Sequence, residues 1–113
     1  MKNLFDDLDE GPGAEERFDV LAVGPALRVE RIVSRGHSTP PEQWYDQAEA
    51  EWVVLLQGEA SLQWEDGTQV ALKAGDHVFI AAHRRHRVTH TSVAPACVWL
   101  AVHGDLHQPD DAR

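Results

Sequence analysis

From Glu51 to Ala81 the chain never runs more than seven residues without a turn signal, and that punctuation decides what it can fold into. Gly58, Asp66-Gly67 and Gly75 cut the stretch into EWVVLLQ, EASLQWE, TQVALKA and DHVFIA. Segments this short make poor helices, and their β-branched, aromatic and alternating residues suit a pleated surface. Asp-Gly between two such runs is the strongest short-range signal for a hairpin. The pattern continues on both sides: RFDVLAV and ALRVERIVS flank Gly24-Pro25, and HRVTHTSV and CVWLAVH follow. Short strands with turn signals at this spacing predict an all-β fold, an antiparallel barrel or sandwich.

The 113 residues are enough for one domain with a modest core, burying about two-thirds of the surface of the unfolded chain. The strands assign that domain to residues 17–104. An acidic arm, residues 1–16, precedes it, with at most one helical turn before Gly11-Pro12-Gly13; an acidic tail, residues 105–113, follows. Between the second and third strands RGHSTPPEQWYDQAEA is a polar connection, because Pro40-Pro41 forbids helix there.

An apolar content of 42 % excludes a disordered chain, and no apolar run approaches the roughly twenty residues of a membrane-spanning helix. The N-terminal MKNLFDDLDEG is acidic and has no apolar segment of the kind that directs secretion. Cys97 is the single cysteine; flanked by Ala96 and Val98 it reads as a buried, inert thiol, and a reduced cytoplasmic location is expected. The net charge of -9 is carried mainly by the ends: residues 20–104 hold nine acids against seven bases. Without a long basic stripe the chain is not a nucleic-acid binder. The one basic cluster, Arg84, Arg85 and Arg87, could attract an anionic ligand to the rim, but the expected reading is that it pairs with surface acids such as those of the arm.

Two groups of residues stand where a resemblance can be drawn. Glu51 precedes Gly58 by six intervening residues, and LKAGDHVFIAAHRRHRV carries Gly75, Ala81, His83, His86 and His90 at fixed intervals. Together they resemble the two motifs of the cupin family over roughly residues 44 to 90, in particular small single-domain cupins with a WYDQ segment. The resemblance implies a single antiparallel jelly-roll barrel, with Glu51 and His86 at metal-ligand positions. The chain departs from the family pattern at several places. Where the first motif normally has His-x-His, this chain has Tyr45 and Gln47, or Trp44 and Asp46 with the longer gap. In the second motif Ala81 replaces proline, His83 replaces glycine and His90 replaces asparagine.

Divalent transition metals such as Zn, Fe, Mn or Ni need three or four converging imidazole and carboxylate groups. Glu51 and His86 are the first candidates. His90 would share the face of His86 in a regular strand, and His83 could swing in from the preceding turn. Trp44, Tyr45, Asp46 and Gln47, in a polar loop at the expected barrel mouth, are candidates to line a small-molecule pocket. The bland alternatives are a rim histidine bonded to Glu51, solvated turn histidines, and aromatics that cap the barrel. His77 reads as structural, and His37, His103 and His107 as solvated. Trp52, Trp64 and Trp99 should pack between sheets or against a partner subunit.

Three functions compete, in this order. The first is a metal-binding cupin, enzyme or binding module, acting on a small ligand. The second is a metal-free cupin that binds a small molecule, and the third is a dimerising module without chemistry. A homodimer is expected in each case, and fold alone does not choose among them.

Overall fold

The computed structural model describes residues 1–8 and 14–109; the Gly11-Pro12-Gly13 break and the last four residues lie outside the described residues. Eight strands follow one another: β1 Arg17–Gly24, β2 Leu27–Ser34, β3 Ala50–Gln57, β4 Glu59–Trp64, β5 Gln69–Lys73, β6 His77–Ile80, β7 His86–Thr91 and β8 Cys97–Gly104. All pairings are antiparallel, in a five-stranded sheet ordered β1-β2-β8-β3-β6 and a three-stranded sheet ordered β5-β4-β7. The two sheets pack face to face as the expected jelly roll. No helix among the described residues is long and apolar enough to cross a membrane.

The core follows from period-two alternation. On β3, Val53 and Leu55 point between the sheets; Ala101 and Trp99 stand opposite them on β8, and Leu62 and Trp64 come from β4. Leu55, Cys97 and Ala101 are completely buried. Trp64 and Trp99 thus pack between the sheets, whereas Trp52 lies on the outer face and donates its indole N–H to His77 Nδ1 (3.2 Å). The Cys97 thiol is buried and donates to the Glu59 carbonyl.

The register slips at three places, and one of them matters for function. Leu62 pairs with Val88 and Ser61 with His90, so Thr89 is the extra residue of a bulge in β7. Val88 faces inward. Beyond the bulge the phase is reversed: Thr91 is buried at 2 % exposure and His90 faces solvent.

The N-terminal segment is strapped across the outside of the larger sheet by Arg31. Its guanidinium donates to the carbonyls of Leu4 (3.0 Å) and Asp6 (2.6 Å) and to the carboxylate of Asp19. The arm therefore meets Arg31, and Arg17 through the Asp7 carbonyl, instead of the Arg84–Arg87 cluster. Arg85 pairs with Glu65 (2.6 Å), while the Arg84 guanidinium lies 3.5 Å from the centre of a Trp64 ring.

The turns match the signals that forecast them, with Gly58, Gly67 and Gly75 all at positive φ. Gly58 and Gly67 share φ +94°, but a Cβ at Gly58 would lie 2.8 Å from Ser92 Oγ and 2.9 Å from Cys97 Sγ, whereas Gly67 faces open space. Gly67→Ala is therefore expected to cost about 1 to 2 kcal/mol of backbone strain. Gly58→Ala should cost about 3 kcal/mol or more, because overpacking adds to the same strain. Urea denaturation of both variants checks this, and equal losses would show that the Gly58 contact is not restrictive.

Candidate functional site

The inward faces of β3 and β8 are apolar along most of their length and ionisable at one end, and β2 adds Arg28 and Glu30 at that same end. Glu51 pairs with His103 across β3 and β8, and Arg28 pairs with the same His103 from β2. Glu30, one pleat along from Arg28, completes the group. His103 Nε2 stands 3.0 Å from Glu30 Oε1 and 3.8 Å from Glu51 Oε2, so the imidazole donates to Glu30 and faces Glu51 at ion-pair distance. These three residues are at most 8 % exposed. Arg28 approaches Glu30 from the mouth at 3.5 Å and Glu49 at 3.8 Å.

The smaller sheet contributes His86. The Tyr45 amide donates to the His86 carbonyl (2.8 Å) and the His86 amide returns a bond to Tyr45 (3.2 Å), so the WYDQ loop is stitched to the start of β7. The Tyr45 ring stacks on the imidazole at 5.5 Å between centroids, and Trp64 meets it edge-on at 6.0 Å. His86 Nδ1 lies 2.8 Å from the Arg84 carbonyl. A carbonyl only accepts, so Nδ1 carries the proton and Nε2 of the neutral ring is an acceptor.

Glu51, Glu30, His103 and His86 line one cavity of about 240 Å³, together with Arg28, Tyr45, Gln47 and Glu16 and an apolar wall that includes Ile32, Val53, Leu62 and Ile80. Neither the Glu51 carboxylate nor His86 Nε2 makes a hydrogen bond to the described residues. Burial pushes the Glu51 carboxyl up from its ordinary range; the His103 imidazole opposes that shift and the Glu30 charge adds to it. Burial also lowers His86, so its ring is neutral at neutral pH; the bond to the Arg84 carbonyl partly resists this. Burial raises the Tyr45 hydroxyl, helped by the charges of Glu16 and Glu51.

The candidates from sequence separate clearly. Glu51, His86, Tyr45 and Gln47 come together in the cavity. The alternate residues Trp44 and Asp46 turn away from it: the Arg87 guanidinium lies 5.8 Å from the Trp44 ring centre, and Asp46 Oδ1 stands 2.8 Å from His83 Nδ1. His83, in the left-handed region at φ +62°, is held on the exposed rim by that contact and by its amide bond to the Gln47 carbonyl. His90 is turned to the outer face by the Thr89 bulge. The expectation that His83 and His90 join Glu51 and His86 around one ion is therefore not met. His103, expected to be solvated, is instead 4 % exposed at the centre of the site. Glu30 was not anticipated either. A signal for both was present: counting by twos from Trp99 reaches His103, and from Ile32 reaches Glu30. His37 is engaged as well, bonded to the Arg35 amide and the Ala14 carbonyl.

Residues 30–103 match the family model of the cupin domain. The chain belongs to the cupin family. Among solved structures this cupin is similar to a "putative mannose-6-phosphate isomerase" from Ralstonia eutropha JMP134, at 38 % identity and TM-score 0.86, covering 94 % of this chain and 98 % of that one. It also shares its fold with a cupin superfamily protein of Desulfitobacterium hafniense DCB-2 (16 % identity, TM-score 0.73, covering 92 % and 90 % of the two chains). A third is an RmlC-like cupin of Methanocaldococcus jannaschii (16 % identity, TM-score 0.65, 85 % and 86 %). A search of curated protein sequences returned no match.

A divalent metal is the cofactor that the cupin motifs imply, and the donor set of this cupin does not fit one. Among the described residues no three His, Cys, Asp or Glu side chains are placed to hold an ion. The imidazole nearest Glu51 belongs to His103, and its Nε2 is already committed to Glu30.

The two shifted groups make opposite contributions to stability. Glu51 titrates above its ordinary 4.5 when folded, so the stability it lends in acid is lost as pH rises from about 4.5 through its folded pKa. His86 titrates below 6.5 when folded, so its contribution is present above about 6.5 and lost as pH falls towards its folded pKa. Melting temperature measured against pH should show Glu51→Gln removing the loss on the alkaline side and His86→Gln removing the loss on the acid side. An unchanged profile in both variants would contradict the assigned shifts.

Proposed function

We propose that this cupin binds a small organic molecule in its barrel through His86 and Glu51, with no divalent metal between them. One observation carries the reading: the Glu51 carboxylate and His86 Nε2, from opposite sheets, line the same cavity, and neither is hydrogen-bonded to the described residues. A ligand that hydrogen-bonds to both would complete the bonding of these two atoms. The neutral imidazole and the carboxyl with a raised pKa can also exchange a proton with the bound molecule. The isomerase name of the relative from Ralstonia eutropha is in keeping with a small polar ligand.

The test is metal analysis of untagged protein together with ligand screening by thermal shift, before and after chelation. The reading expects sub-stoichiometric metal, a melting temperature unchanged by chelator, and stabilisation by a small organic molecule that His86→Ala reduces at least tenfold in affinity. One equivalent of tightly held metal, lost in Glu51→Ala and His86→Ala, would restore the metal-dependent alternative.

A second observation supports a second copy of the chain as partner. β1 is the open edge of the larger sheet, and its inward residues Phe18, Val20 and Val23 are 52 %, 57 % and 73 % exposed because no strand of the smaller sheet lies over them. Phe18 also lines the cavity, so a two-fold contact between β1 strands would close the mouth of the site in both copies. Light scattering should give the mass of a dimer, and Val20→Glu with Val23→Glu should give that of a monomer; a monomeric parent chain removes this reading.

A further inference from the structure

The charges around the cavity limit what it can hold. Its lining carries three carboxylates, Glu16, Glu30 and Glu51, against one guanidinium, Arg28. Arg28 is already shared between Glu30 and Glu49. The Glu16 carboxylate accepts from the Ser34 hydroxyl (2.5 Å), and Glu30 accepts from His103. Glu51 is left over: 7 % exposed, with no hydrogen bond and only an ion-pair contact at 3.8 Å. His86, 4 % exposed, offers a lone pair at Nε2. Both vacant positions are acceptors, so the ligand must bring donors. A phosphate brings negative charge and acceptors, and no unpaired cation lines the wall to receive it.

We propose, resting on the small-ligand reading above, that the cavity takes a small protonated amine with an apolar body, and that it excludes phosphorylated sugars. An ammonium group has three donors and no acceptor, which complements acceptors such as the Glu51 carboxylate and His86 Nε2. Its charge compensates a buried carboxylate that otherwise has to stay near water or take up a proton. The Tyr45 ring, stacked on His86, adds an aromatic side chain to the lining. The apolar body packs against Ile32, Val53, Leu62 and Ile80 at the floor. The volume of about 240 Å³ suits a molecule below drug size. This ligand class differs from the one in the relative's name, and the difference rests on this chain's own residues.

Three probes of one size and shape but different charge decide the matter: benzylamine, benzyl alcohol and benzoate, titrated calorimetrically into the full chain at neutral pH beside mannose 6-phosphate. Benzylamine should bind at least tenfold more tightly than benzyl alcohol, and benzoate and mannose 6-phosphate should give no heat of binding. Glu51→Gln should weaken benzylamine at least tenfold and benzyl alcohol by a smaller factor. The comparison on the unaltered chain stands even if that variant fails to fold. Benzyl alcohol or an anion binding as tightly as benzylamine overturns the cation inference and leaves the small-ligand reading intact. If none of the four binds at millimolar concentration, the amine inference falls, and the small-ligand reading is decided by the metal analysis and thermal-shift screen above.

Discussion

A buried imidazole held between two carboxylates governs this structure. Glu30, Glu51 and His103 come from three neighbouring strands of the larger sheet, and all three side chains point into the space between the sheets. Ionisable groups cannot be packed against Leu62 and Trp64 as Leu55 is, because removing them from water without partners costs several kcal/mol each. The barrel therefore closes tightly at the apolar end and stays open at the other. The cavity follows from that conflict.

The remaining parts of the site are organised around this opening. The WYDQ loop crosses its rim by pairing Tyr45 with His86, and the same contact sets the imidazole against a ring. The Arg84 carbonyl then determines the tautomer of His86 through one hydrogen bond. Arg84 itself is anchored on Trp64, a core residue, so the rim inherits its position from the core. The result is a pair of vacant acceptors on opposite walls, with their protonation moved in opposite directions by the same physical cause, burial.

Cupins host many activities on one barrel, and what distinguishes this one is the replacement of motif residues by groups with other uses. Tyr45 and Gln47 occupy cavity positions where the first motif usually carries histidines. His83, at the glycine position, spends its side chain on Asp46 outside the cavity. The carboxylates of the cavity come from Glu16, Glu30 and Glu51, of which only the last lies in a motif.

Spacing and punctuation determined the strands, their turns and the all-β class, because each turn needs a residue type at a particular place and each strand announces its period locally. The jelly roll came from the resemblance of the motifs to those of cupins. Glu51 and His86 were legible through the resemblance of their spacing to the cupin motifs, and Tyr45 and Gln47 through their place in the polar loop at the expected mouth. The structure alone decided the fate of His90 and the importance of His103. A single extra residue at Thr89 reverses the phase of a strand, and a bulge of that kind depends on the partner strand, not on β7 itself. His103 and Glu30 stand 73 residues apart and became a pair only when β2 and β8 were laid side by side. Alternation says which side of a strand a residue takes; which groups meet across that side is settled by the register of the assembled sheet.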